Sequence, residues 1–400
     1  MRISARAERI EPFYVMEVAK AALEIARAAA KSDMPMVFLN IGEPDFTAAP
    51  LVVEAAERAI RRGATQYTQA TGLPALREQI SAWYQGRFGV RVDAGRIVVT
   101  AGASAALQLA CLALIDRGDE ILMPDPSYPC NRHFVSAADG QAVLVPATAE
   151  ERFQLSAAKV EAAWNPHTHG VLLASPSNPT GTSIHPDEMR RIHQVVSNKG
   201  GITLVDEIYL GLSFDTQFGQ TALTLDDQVI SINSFSKYFS MTGWRLGWLV
   251  VPEALFSTIE RLAQNLFICP STVAQHAALA CFEAPSLAEF ERRRAEFKAR
   301  RDYFIPALNA IGLPVPVMPD GAFYAWADCS LACHRLNQKF GTTLKDSWDF
   351  AFEVMRRAHL AVTPGRDFGV AQTGNFVRFS TASSLSELKI AIERLKALLA

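Results

Sequence analysis

From about residue 96 to residue 251 the chain alternates short aliphatic and β-branched runs with segments long enough to form helices. The runs are "RIVVT", "EILMPD", "GVLLAS", "ITLVDE", "VISINSFS" and "RLGWLVV", and the longer segments include "SAALQLACLALID" and "HPDEMRRIHQVVSNKG". Parallel strands need crossovers of helix length, whereas antiparallel neighbours need only tight turns. The pattern therefore predicts an α/β body whose mainly parallel sheet is covered by helices on both faces. Ligands of such sheets gather at the carboxyl ends of the strands, so the residues that close these runs are the first place to look for chemistry.

At 400 residues the chain is too long for one hydrophobic core, and two cores in one polypeptide are expected. No repeat, low-complexity tract or long linker separates them. The stretch "SLAEFERRRAEFKARRDYFIPAL" predicts a long helix opened by a capping box, Ser286 with Glu289, whose arginine run forms a solvated face. Beyond it, "GAFYAWADC", "KDSWDFAFEVMRRAH", "GNFVRFSTA" and "SLSELKIAIERLKALLA" mark a smaller α+β unit of about a hundred residues. The amphipathic start, "PFYVMEVAKAALEIARAAAKS", packs against that unit in this reading. The expected division is an N-terminal segment 1–45 belonging to the small domain, a large domain 46–285, and the rest of the small domain 286–400.

A formal net charge of −2 argues against a nucleic-acid or anionic-membrane surface, and no apolar run approaches the ~20 residues of a membrane span. The charged N-terminus lacks the apolar stretch of a signal peptide, so a cytoplasmic protein acting on small molecules is expected. Six scattered cysteines predict idle thiols; Cys329 and Cys333 beside His334 lack the second ligand pair a zinc site needs, and no metal is expected.

Four stretches carry chemistry. "TAGASAALQLA" places Gly102, Ala103 and Ser104 at a strand-to-helix junction, where exposed N–H groups and the helix dipole favour an anion. "SPSNPTGTSI" sets Asn178 between two prolines after a strand, which turn formation explains equally well. "ITLVDEIYLG" ends an apolar strand on Asp206 and Glu207, with Tyr209 just beyond; an acid there is costly to bury without a cation or donor. "SINSFSKYFSMTGWRLGW" holds a lone lysine, Lys237, eight positions before Arg245. Two readings of Lys237 stand side by side: a solvent-facing residue of a polar turn, or a nucleophilic amine beside an anionic aldehyde cofactor. Neither a Walker loop nor a GxGxxG fingerprint occurs, which removes the usual support for a nucleotide.

"SPSNPTG", "DEIY", "SFSKYFSMTGWRLG" and "PGRDFG" resemble the motifs of the class I/II aminotransferases, fold-type I enzymes dependent on pyridoxal 5′-phosphate, and the resemblance runs from about residue 12 to the C-terminus. It implies a seven-stranded sheet sandwiched by helices, with a small domain formed from both chain ends. It makes Lys237 the residue that bonds the cofactor aldehyde, and Asp206 the partner of the ring nitrogen. Tyr209 and Asn178 bond the ring oxygen; Ala103, Ser104, Ser234 and Arg245 hold the phosphate; and Tyr128 stacks on the ring, where a core tyrosine is the other reading. Tyr67 reaches the phosphate from the partner subunit of a homodimer. Arg378, in "NFVRFS", clamps the substrate carboxylate with help from Asn178 and the Gly42 backbone.

The implied reaction is ping-pong transfer of an amino group between an L-amino acid and a 2-oxo acid, with glutamate and 2-oxoglutarate as one pair. A C–S lyase on the same scaffold is the alternative. A ligand-sensing regulator needs a DNA-binding segment that the short stretch ahead of "NIGEPDF" does not supply. In the aspartate aminotransferases of the animal and enterobacterial type, an arginine in the region matching "AQNLFICPST" reads a distal carboxylate, and this chain has none there. Arg132 is a substitute cation. Phe13, Tyr14, Tyr128 and Phe267 suggest an apolar side-chain pocket, although packing explains Phe13 and Tyr14 as well.

Overall fold

The computed structural model describes residues 2–12, 14–28 and 34–400. Seven strands form the main sheet: β1 Ile97–Thr100, β2 Glu120–Asp125, β3 Gln141–Pro146, β4 Thr168–Ala174, β5 Ile202–Asp206, β6 Ile230–Ser234 and β7 Gly247–Val250. Their order is β1-β7-β6-β5-β4-β2-β3, and only β7 runs against its neighbours. Six of the seven are the runs quoted above. The seventh, β3, is a half-exposed edge strand that lacks the continuous apolar signal of a buried one.

Side chains alternate between two cores, as the two-residue period of a strand requires. Val99, Val171, Leu173 and Val205 point into one core with the helices Pro50–Arg61, Pro74–Phe88 and Pro186–Asn198. Val98, Leu172, Leu204 and Ile232 point into the other, beneath the helices Ala103–Leu114 and Glu253–Leu266.

A second, antiparallel sheet places Phe376–Ser380 between Thr363–Pro364 and Tyr324–Asp328. Early residues join this region: Val37 and Phe38 pair in parallel with Leu360 and Ala361, and Val37 and Leu39 enter the core of Phe304, Leu360, Val377 and Leu395. The helix Tyr14–Ala28 buries Val18 and Ala22 against Met355 and Ala361.

The long helix spans Ala284–Ala310, with Glu283 as its N-cap and Pro285 in its first turn. Ser286 is therefore inside the helix and not its cap; its hydroxyl is buried without a partner, and Glu289 bonds Arg292 and Arg293 instead. Capping boxes form instead at Thr148 with Glu151 and at Ser384 with Glu387. The arginine run is not uniformly solvated. Arg292 is exposed, but Arg300 is only 2% exposed and grips Asp45 through both Nη atoms at 2.8 and 2.9 Å. Phe290 and Phe297 of this helix join the large core and Phe304 and Leu308 the small one, so one element crosses both.

Candidate active site

The carboxyl ends of the parallel strands open into a cavity of about 350 Å³, closed from the other side by the small sheet and the helix Tyr14–Ala28. Asp206 is the last residue of β5; Asn178 follows β4, Lys237 follows β6, and Ala103 and Ser104 open the helix after β1. Arg245 lies two residues before antiparallel β7, which brings it to the same edge. Gly42, Tyr128, Tyr209, Ser234 and Arg378 complete the wall. Thus the residues to which the resemblance gives a cofactor or α-carboxylate role line one cavity with the exception of Tyr67, which stands at the surface, 83% exposed.

Lys237 Nζ donates to the Gly42 carbonyl at 2.6 Å, at the end of the cavity where Asp206, Tyr209 and Arg378 converge. Burial first, with Arg378 and Arg245 adding to it against the opposing Glu43 and Asp206, brings its ammonium down to about 8. The solvent-facing reading of Lys237 is therefore set aside. Asp206 is buried and its carboxyl is pushed up to about 6 by desolvation, while the Ile208 N–H and the Asn131 side chain favour its ionised form. Its neighbour Glu207 faces away, bonded to Thr221, Ala222 and Ser231.

Arg378 is 3% exposed, and among the described residues it makes no ion pair with a carboxylate. Nη1 donates to Asn178 Oδ1 at 2.8 Å and Nη2 to the Asn40 carbonyl at 2.7 Å, while Nε is buried without a partner. A desolvated cation with unspent donors is costly unless an anion completes it. The opposite end of the cavity is also anion-ready. Gly102, at φ 85°, caps the helix Ala103–Leu114, and a Cβ there would stand 2.7 Å from an Arg245 guanidinium nitrogen, so the backbone and the arginine approach as closely as only glycine permits. Ser104 and Ser236 flank this corner. An anion cradle, a lysine with a lowered pKa, a buried acid and a phenol in one cavity fit a phosphorylated ring aldehyde held between them.

Three residues in the site carried no sequence signal strong enough to single them out. Asn131 reaches Asp206 from the helix Pro129–Ala137. Tyr324 Oη lies 2.6 Å from Tyr209 Oη. Ser236 has its N–H on Ser234 Oγ at 3.0 Å. Asn131 and Tyr324 reach the site only through tertiary packing; Ser236 lay next to Lys237 in the quoted motif.

The side-chain pocket differs from the expected one. Tyr128 lines the cavity, but Phe267 packs in the core beneath the sheet, Tyr14 lies under Arg366 and meets Trp348 edge to face, and Phe13 lies outside the described residues. Val15, Met16, Ile41, Leu107 and Phe134 form the apolar wall instead. Arg132 does not face the cavity; it bonds the Asp367 carbonyl at 3.1 Å and lies 3.5 Å from Glu11. No helix among the described residues is long and apolar enough to cross a membrane.

Comparison with known proteins places this arrangement. The family model for aminotransferases of class I and II matches residues 35–395. A valine–pyruvate aminotransferase of Mycobacterium tuberculosis is 36% identical over 395 residues, covering 98% of this chain and 97% of that protein. An aspartate aminotransferase of Rhizobium meliloti is 35% identical over 98% of this chain and 95% of its own. Among solved structures, an aminotransferase from Mycobacterium tuberculosis superposes with a TM-score of 0.91 at 35% identity, covering 100% and 99% of the two chains. The aspartate aminotransferase of Thermus thermophilus with maleate gives 0.90 at 30% identity, covering both chains fully. With Lys237, Asp206, Arg245 and Arg378 already assembled in one cavity, these matches over nearly the whole length settle the family: the chain belongs to the class I and II aminotransferases, which depend on pyridoxal 5′-phosphate.

Proposed function

We propose that this aminotransferase works by a ping-pong cycle in which one pair is glutamate and 2-oxoglutarate and the other an L-amino acid with an uncharged aliphatic or aromatic side chain. The observation that carries it is Arg378: a buried guanidinium that makes no ion pair with a carboxylate among the described residues suits the one group every such substrate shares, its α-carboxylate. Asn178, whose Oδ1 is taken by Arg378, has its amide N–H groups left to donate beside that carboxylate, and the Gly42 backbone borders it. The relatives' names include one monocarboxylic and one dicarboxylic amino acid. The apolar wall of Val15, Met16, Ile41 and Leu107 supports the first for this chain, as does the lack, among the described residues, of any lining cation beyond Lys237, Arg245 and Arg378.

Bound here, pyridoxal phosphate supplies an aldehyde that accepts the amino group and a ring that takes up the electron pair of the substrate's Cα. In our reading Arg245, Ser104, Ser234 and the Ala103 N–H hold its phosphate, Tyr128 covers its ring face, and Tyr209 and Asn178 donate to its ring oxygen. Asp206 holds a proton on its ring nitrogen. Lys237 Nζ anchors the cofactor and then carries the proton away from substrate Cα, a task suited to an amine whose pKa burial has brought to about 8.

We read residues 46–285 as the cofactor-binding domain and residues 1–45 with 286–400 as the small domain, on the pairing of Val37 with Leu360. A homodimer is proposed in which Tyr67 serves the neighbouring site; Thr272 Oγ1 donates to the carbonyl of Gln66, the residue before it, at 2.6 Å, and Tyr67, Leu266 and Ile268 are each exposed. Six free cysteines support the reducing cytoplasm as its compartment.

The test is a single-turnover titration of the cofactor-loaded protein with valine, phenylalanine, aspartate and glutamate, followed by absorbance. Loss of the visible band with valine or phenylalanine and with glutamate, and release of the matching 2-oxo acids, is the expected result. Pyruvate and ammonia released from a cysteine-derived thioether without that loss would make the chain a C–S lyase; a response to aspartate alone would overturn the substrate class.

A further inference from the structure

We infer that Tyr324 is a positioning residue that donates its hydroxyl hydrogen to Tyr209, and thereby turns the Tyr209 hydrogen toward the cofactor's ring oxygen while its ring face supports the substrate-binding Arg378. The inference rests on the reading of Tyr209 as a donor to that oxygen.

Tyr324 is the first residue of its strand in the small sheet, 1% exposed, and its hydroxyl reaches across to the large domain at 2.6 Å from Tyr209. Burial raises both phenols, so each keeps its hydrogen at neutral pH. Two neutral hydroxyls at this distance share one hydrogen between them, and the other must point elsewhere. Which one is shared follows from the surroundings. The Arg378 guanidinium lies 4.6 Å from the Tyr324 ring centroid; a cation over a ring draws charge from it and strengthens its O–H as a donor. The cation nearest the Tyr209 ring is Lys237 Nζ, farther off at 5.6 Å and, unlike an arginine, able to lose its charge near neutral pH. The remaining titratable neighbour of the pair is Tyr128.

The other side of Tyr324 is fixed by Gly42. A Cβ at residue 42 would stand 2.7 Å from the Tyr324 hydroxyl, so the glycine leaves room for this phenol, and the same residue's carbonyl takes the Lys237 ammonium. Gly42, Lys237, Tyr209 and Tyr324 therefore form a closed ring of contacts, with Arg378 stacked against one member. Nothing in this ring offers Tyr324 an acceptor as well placed as Tyr209.

Tyr324→Phe keeps the ring and removes the hydroxyl, so it separates the two roles. Tyr209, no longer polarised by its neighbour, becomes a weaker donor. A ring oxygen less stabilised as an anion holds a shared proton to higher pH, so the pH at which the visible absorbance of the bound cofactor changes must rise. The experiment is a pH titration of that absorbance in the cofactor-loaded wild type, Tyr324→Phe, Tyr209→Phe and the double variant, with KM for the amino donor measured alongside. The expected result is a rise in Tyr324→Phe smaller than that in Tyr209→Phe, no further rise in the double variant, and a KM within about twofold of wild type because the aromatic face under Arg378 remains. A midpoint that falls, one that does not move, or an equal shift on the Tyr209→Phe background overturns the inference. If Tyr209→Phe alone leaves the midpoint unmoved, the reading of Tyr209 fails first and the assignment to Tyr324 fails with it.

Discussion

In the proposed mechanism, burial converts Lys237 and Arg378 from ordinary cations into chemical tools. An exposed lysine is protonated through neutral pH, whereas burial, then Arg378 and Arg245, bring Lys237 to about 8 from its usual 10.5. Because the pKa is lowered, the reactive neutral amine grows as pH rises through about 8. In protein freed of cofactor, acylation of Lys237 by an amine-reactive ester, read by peptide mass, should follow that midpoint; a rise only near 10.5 would contradict it. Arg378→Leu removes two or more charge-assisted bonds of about 1.5–3 kcal/mol each, so kcat/KM should fall about a hundredfold or more while cofactor affinity holds. Equal loss of cofactor affinity would place Arg378 elsewhere in the site. Both residues could be singled out in the sequence because each lies in a motif with recognisable neighbours, and both line the cavity. Asn131 and Tyr324 could not, since an asparagine in a helix and a tyrosine in an apolar strand acquire meaning only when Asp206 and Tyr209 arrive from distant positions.

Among the elements, the helix Tyr14–Ala28 depends most on the "PGRDFG" motif. Asp367 Oδ1 accepts the Tyr14 N–H at 3.1 Å, where the unpaired donors and positive end of a helix favour an acid, and the Arg366 guanidinium lies between the rings of Tyr14 and Trp348. Val15, Met16 and Ala19 of that helix wall the cavity. Asp367→Ala should weaken this anchoring by about 1 kcal/mol, raising KM roughly fivefold and speeding amide exchange across residues 14–28, with the cofactor held as before. Unchanged exchange there would show that apolar packing alone holds the helix. The strands of the main sheet were legible because buried parallel strands are nearly continuous apolar runs. The edge strand Gln141–Pro146 escaped for the converse reason, and the helix start at Ala284 was misplaced because Glu283 and Pro285 open it without a side-chain cap.

Across the whole molecule, two sheets supply different walls of one cavity: the large sheet presents Asp206, Asn178 and Lys237 at its strand ends, and the small sheet presents Arg378 and Tyr324. Arg300, reaching from the long helix to Asp45, secures the segment that delivers Gly42 between them. The proposed dimer adds Tyr67, and subunit mixing tests it. A hybrid of one Lys237→Ala subunit and one Tyr67→Phe subunit should regain one site of wild-type cofactor affinity, because the intact Lys237 then faces the partner's intact Tyr67; no recovery would return Tyr67 to its own subunit's surface. The central claim is that Lys237 is the covalent anchor, and borohydride reduction of the cofactor-loaded protein followed by peptide mapping tests it most directly. The account predicts cofactor mass on the peptide containing Lys237 and none on any peptide of Lys237→Ala; reduction that labels a different lysine, or labels the variant equally, would contradict it.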